Sequence, residues 1–99
     1  MANRPSLNEY FKTLTEHVYY QPPVNVLMKY PCIRYSRNSI DNTFADDLVY
    51  LQDRSYEVTV IDRDPDSPLV DAISKMPTAR FNRHYTTEGL NHDVFIIYW

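Results

Sequence analysis

Three aspartates alternate in the stretch "VIDRDPDSPLVDAI": Asp62, Asp64 and Asp66. That is how the first ligands of a calcium-binding loop are spaced, because alternate side chains of a tight loop converge on one point. Such a loop starting at Asp62 also needs glycine at its sixth position and a bidentate glutamate at its twelfth. Those positions hold Ser67 and Ile73, and Pro65 and Pro68 fix backbone angles inside the proposed loop. A second reading gives every residue a role. Asp62 closes a strand and Asp64-Pro65 opens a turn. Asp66 and Ser67 then bring acceptors and negative charge to a helix N-terminus. The triplet reads as punctuation.

The other reactive side chains form no catalytic set. His84 and His92 lie on two arms of a C-terminal hairpin, with Asp93 beside the second. Pairing Thr87 with His92 would put the histidines on opposite faces, and two histidines do not close a metal site. Cys32 is the single cysteine, so it forms no internal disulfide, and between Pro31 and Ile33 it reads as a small buried hydrophobe. No serine sits in a glycine-flanked elbow. Gly89 is the one glycine in the chain, which removes dinucleotide and phosphate-loop fingerprints altogether. In "RFNRHY", basic and aromatic residues interleave as on a single-strand binding surface. Strict alternation, however, places Phe81, Arg83 and Tyr85 on one face and Arg80, Asn82 and His84 on the other, splitting the arginines.

The elements that would carry these residues follow from periodicity. Ninety-nine residues with 43% apolar content suit one domain, 1–99, with one core. The formal charge of −3 offers no global basic field for nucleic acid. The N-terminal "MANRPSLNEY" lacks the apolar run of a signal peptide, and no segment approaches the ~20 apolar residues of a membrane span. Ser6 and Glu9 have capping-box spacing, and Leu7, Tyr10, Phe11, Leu14 and Val18 recur as one face of a helix of about three turns, stopped by Pro22 and Pro23.

Cys32 to about Ile40 reads as a strand. Asp41–Asp47, "DNTFADD", reads as a loop carrying Phe44, and Leu48–Asp62 as a second strand, bent near Gln52–Arg54. Its second half points Tyr56, Val58 and Val60 one way and Glu57 and Thr59 the other. Ser67 and Pro68 start a helix over 68–76 with Leu69, Ile73 and Met76 on one face. The closing hairpin turns around Glu88 to Asn91, and its last strand, Val94–Trp99, is apolar on both faces. The predicted fold is α+β: an antiparallel β-sheet packed against one or two α-helices in a single domain, with Val58, Val60, Ile73, Val94 and Ile96 in the core. Nine tyrosines suit half-buried sheet faces and protein interfaces.

Over nearly its whole length the chain resembles the tail terminator, or tail completion (head–tail joining), proteins of long-tailed bacteriophages. "YPCIRYSR" is similar to that family's proline-led first sheet strand. "YEVTVIDRDPDSPLVDAI" resembles its long strand leading into the second helix, and "RFNRHYTTEGLNHDVFIIYW" its closing hairpin with an aromatic end. The resemblance implies a virion structural protein with no enzymatic activity and no cofactor. It would form a ring, usually hexameric, that caps the tail tube and offers a surface to the filled head. The implied partners are further copies of the chain, the major tail tube protein and head–tail connector or neck proteins. DNA would be only passing cargo in the lumen, and no membrane would be involved. Assembly would occur in the bacterial host cytoplasm. Another connector, neck or adaptor protein of the same virion is the alternative, and a small nucleic-acid or regulatory binding module a third. The family carries over no catalytic or metal residue. The expected subunit or tube interface is Asn42, Thr43, Phe44, Ala45, Asp46 and Asp47 with Tyr98 and Trp99.

The broken calcium pattern and the split histidines generate a prediction. Calorimetric titration with calcium, magnesium and zinc is expected to show no tight stoichiometric binding; one micromolar site per chain refutes it.

Overall fold

The structure, a computed structural model, describes residues 4–22, 27–45 and 48–99, with side chains described outside 43–52. Its elements are α1 (Arg4–Lys12), β1 (Val18–Tyr20), β2 (Cys32–Ala45), β3 (Leu48–Asp62), α2 (Pro68–Ser74), β4 (Arg80–Thr87) and β5 (Leu90–Tyr98). The strands make one sheet in the order β1-β2-β3-β5-β4. All neighbours are antiparallel except β1, which runs parallel to β2. The fold is the expected α+β arrangement, with a mixed sheet in place of a purely antiparallel one.

Helix α1 is shorter than the periodicity suggests. It begins at Arg4, so Ser6 lies inside the first turn, and it ends at Lys12. Hydroxyls compete with the helical backbone just beyond: Thr13 Oγ1 donates to the Tyr10 carbonyl (2.6 Å) and Thr15 Oγ1 accepts from the His17 N–H (3.4 Å). Leu14 and Val18 still pack against the core, but from a turn and from β1. Pro22 therefore stops no helix, and Pro23 lies outside the described residues. Strand β1 itself was not anticipated. It is three residues long and held by β2, through Val18↔Ile33 to Tyr20↔Tyr35.

One face of the sheet is the core. Ile33 and Tyr35 of β2, Tyr56, Val58 and Val60 of β3, and Phe95 and Ile97 of β5 meet Leu7 and Phe11 of α1 and Leu69, Ile73 and Met76 at α2. Helix α2 forms where expected: Ser67 caps it by accepting from the Leu69 N–H (3.3 Å), and Pro68 occupies its first turn. Ile96 differs from expectation. It is only half-buried, because Phe95 and Ile97 take the helix-covered face and strand alternation turns Ile96 and Tyr98 to the other. Val94 shares that second face yet is fully buried between Thr59 and Arg83 of the flanking strands.

The largest correction concerns 41–47. Strand β2 continues through Ala45 and β3 starts at Leu48, so most of the expected loop is a ladder that includes Asp41↔Asp53, Asn42↔Gln52 and Phe44↔Val49. Asp46 and Asp47 lie outside the described residues. Strand β5 reaches only to Ser55, and β1 only to Tyr35. Residues 39–45 and 48–54 consequently form a two-stranded arm that extends past the sheet by roughly 20 Å at about 3.3 Å per residue. The long axis of the molecule, 52 Å against 28 and 24 Å, reflects it. Strand β3 has an extra residue, Tyr50, opposite the step from Thr43 to Phe44 and two positions before the expected bend at Gln52–Arg54, and β2 has one of its own between Arg37 and Ser39. There Asn38 Nδ2 donates to Ser55 Oγ (3.0 Å), and the Ser39 and Ser55 hydroxyls share a bond of 2.6 Å.

The closing hairpin turns more tightly than expected. Glu88 (φ 52°) and Gly89 (φ 76°) make its two-residue turn, in the left-handed conformation that matches strand twist. Thr87 therefore pairs with Leu90, not with His92.

Two substitutions separate the faces. Ile73→Ala is expected to cost about 2–5 kcal/mol in denaturant unfolding, as for other buried isoleucines. Ile96→Ala is expected to cost roughly half of that or less, and equal losses would contradict the assignment of Ile96 to the open face.

Candidate functional site

The aspartate run is tied up in its own backbone. Asp62 Oδ1 accepts from the Asp64 N–H (3.1 Å), and Asp64 Oδ1 accepts from the Asp66 N–H (2.9 Å). These are successive Asx turns that carry the chain from β3 to the Ser67 cap. Asn91 Nδ2 reaches the Asp62 and Arg63 carbonyls (3.3 Å each) and fastens the turn to the sheet.

His84 and His92 face opposite ways. The register differs from the expected one by two residues, an even number, so the faces are unchanged. His92 stacks on Tyr85 (4.6 Å, 13° between planes), whereas His84 lies across from Asp93 and meets Asn91 Oδ1 at 3.3 Å. Burial raises the Asp93 pKa, opposed by the charges of His84 and His92. No group of three potential metal ligands converges among the described residues.

Strand β4 corrects the reading of "RFNRHY". Asn82 is an extra residue: Phe81 pairs with Phe95 and Arg83 with Val94. Such a bulge resets the alternation. Arg80, Arg83 and Tyr85 thereby share the open face, opposite Ile96, Val94 and His92. Phe81 turns to the core side, edge-on to Phe95 (5.6 Å), and remains 58% exposed. Arg83 lies 3.8 Å from Glu57 and 5.9 Å from the Tyr85 ring centre. The arginines form a row after all.

Among the described residues the open face carries depressions at the arm's root and over β2 and β3. A cleft of about 340 Å³ at the arm's root is lined by Asp53, Pro77, Thr78, Ala79, Arg80 and Tyr98. A shallower one of about 80 Å³ lies over Arg34, Ser36, Glu57, Thr59 and Tyr85. Both offer charge and hydrogen bonds without a reactive group. Cys32 is fully buried and its thiol is pushed up to about 12, chiefly by burial, so it is no nucleophile at neutral pH.

Asp46 and Asp47 aside, which lie outside the described residues, those expected at an interface divide three ways. Asn42, Thr43, Phe44 and Ala45 lie on the arm, Thr43 to Ala45 being described by backbone only. Tyr98 is at its root, across from Ser55 and 38% exposed. Trp99 turns inward: its Nε1 donates to Ser6 Oγ (2.9 Å), and its ring lies 5.9 Å from that of Tyr10. Asp41, Asp53, Arg80 and Arg83 were not singled out as interface residues. The bulge that aligns the two arginines leaves no mark in composition.

No protein-family model matches this chain, and no curated protein or solved structure gives a significant match.

Burial of Cys32 is checked by thiol labelling. At pH 8 the native protein is expected to react with an aromatic disulfide reagent only at the rate of unfolding, and the denatured chain at once. Rapid reaction of the native thiol refutes the assignment.

Proposed function

We propose that the chain is a structural subunit of a phage virion, a tail terminator that forms a ring capping the tail tube and presents the joining surface to the head. The observation that carries this reading is the arm. An isolated two-stranded hairpin is marginally stable in water, yet the arm projects past all other strands of its own sheet. Protein neighbours that cover it supply what the chain does not. A ring of head-to-tail copies requires two different, complementary patches on each subunit, and the arm and the open face are such a pair. The family resemblance of "YPCIRYSR" and the closing hairpin supplies the particular assembly, and the charge of −3 suits a lumen through which DNA slides. A second reading rests on the row of Arg80, Arg83 and Tyr85, which has the chemistry of a single-strand binding platform. Glu57 and Asp53 beside that row reduce its positive potential.

Removing the arm tests the proposal. Positions 41 and 53 are paired, so replacing residues 42–52 by Asn-Gly closes a two-residue hairpin between them. The shortened monomer is expected to keep its melting temperature within a few degrees. It is expected to lose ring formation by native mass measurement and to give tails of uncontrolled length or tails that do not join heads. Normal infectious particles from the shortened chain refute the role of the arm. Salt-sensitive DNA binding by a permanently monomeric protein favours the second reading.

A further inference from the structure

Strand β4 is the other unprotected element. All eight of its residues are exposed, it pairs among the described residues only with β5, and it contains no proline. A long exposed edge of unpaired N–H and C=O groups is a template for another strand. The arm carries a second edge: β2 loses its β1 neighbour after Tyr35, its Arg37 N–H donates to Gln21 Oε1 (3.3 Å), and it continues to Ala45 with β3 as its one strand neighbour among the described residues.

The charges match as well. Asp41 and Asp53 face each other directly across the arm, both exposed, and both on the face continuous with Ser39, Ser55 and the open side of the sheet. Like charges directly opposite one another destabilise an isolated ladder. Strand β4 and its approach, 78–87, hold Arg80, Arg83 and His84 and no acid. Arg80 and Arg83 line the open face. The arm thus presents paired carboxylates, and β4 presents arginines on the corresponding face, Arg83 at 3.8 Å from Glu57 of its own chain and Arg80 in one cleft with Asp53.

We propose that the arm of one copy docks along β4 of the next, adding its β2 edge as a further strand with Asp41 beside Arg80 and Arg83 and Asp53 one strand farther out. The inference rests on the ring reading and specifies its contact. Because arm and edge are different surfaces, the contact is heterologous, and it propagates from copy to copy until the rotation closes. Main-chain hydrogen bonds supply adhesion, and the charged row sets register and direction.

Paired cysteines test this contact. One chain carries Asn42→Cys; its partner carries Asn82→Cys, His84→Cys or Thr86→Cys, alternate positions that cover different registers. Cys32 is buried and does not compete. Disulfides are expected on oxidation of the mixture and not of either chain alone. Asp41→Arg is expected to raise the concentration needed for half-assembly about tenfold or more, and Arg83→Glu in the same chain to restore it. Circular dichroism of each variant is expected to match the parent. Rings that assemble with neither mixed disulfides nor sensitivity to the charge swap overturn this contact and leave the ring reading standing. Disulfides in the Asn42→Cys chain alone mean arm-to-arm pairing and also overturn it. A protein that stays monomeric at every concentration, with and without tail tubes, overturns both.

Discussion

Tyr35 is the group on which the two layers close. It is 1% exposed, and its ring meets Phe11 of α1 (5.3 Å), Tyr20 of β1 (4.9 Å) and Tyr56 of β3 (6.1 Å). Aromatic contacts of this kind each contribute about 0.5–1.5 kcal/mol beyond the area they bury. A hydroxyl carried into such a cluster must be satisfied, and Tyr35 Oη donates to Asn8 Oδ1 at 2.7 Å. That bond fixes how α1 lies on the sheet. Burial raises the phenol pKa, with a hydrogen bond from Arg4 opposing it, so the ring keeps its donor proton. The same Arg4 sits 4.5 Å over the Tyr20 ring and ties β1 into the cluster.

Away from this cluster the molecule is organised differently. The body closes on itself through interlocked side chains, and its buried side-chain polar atoms have partners among the described residues. The arm has a ladder with bulged joints, and among the described residues β4 has one strand neighbour where interior strands have two. The interior of the body is filled with hydrocarbon and phenol side chains. Its surfaces are the parts with capacity left to bind.

Legibility in the sequence followed the range of the physics involved. Helix α2 could be read almost to the residue because its signals are local: Asp64-Pro65, the Ser67 hydroxyl and Pro68 act within a few positions. Strand β3 was legible because Tyr56, Val58 and Val60 alternate against a buried face. The outer half of β2 was not, since "DNTFADD" has the polar, turn-rich composition of a loop and no apolar alternation. The arginine row was hidden by Asn82, one inserted residue that exchanges the faces before and after it. The end of α1 was missed because Leu14 and Val18 keep helical spacing while reaching the core from other structures. Of the candidate surface, residues 42–45 were singled out as a loop and not as a ladder, and the alignment of Arg80 with Arg83 was not legible.

The bond from Trp99 to Ser6 spans 93 positions of the chain. A nine-residue helix does not persist alone in water, because its nucleation cost exceeds what so few hydrogen bonds return. Helix α1 therefore exists only when docked, and part of its dock is the last residue of the sequence. Ordering of α1 is thus coupled to ordering of the end of β5, which shares with Leu7, Phe11 and Asn8 the work of holding the helix on the sheet.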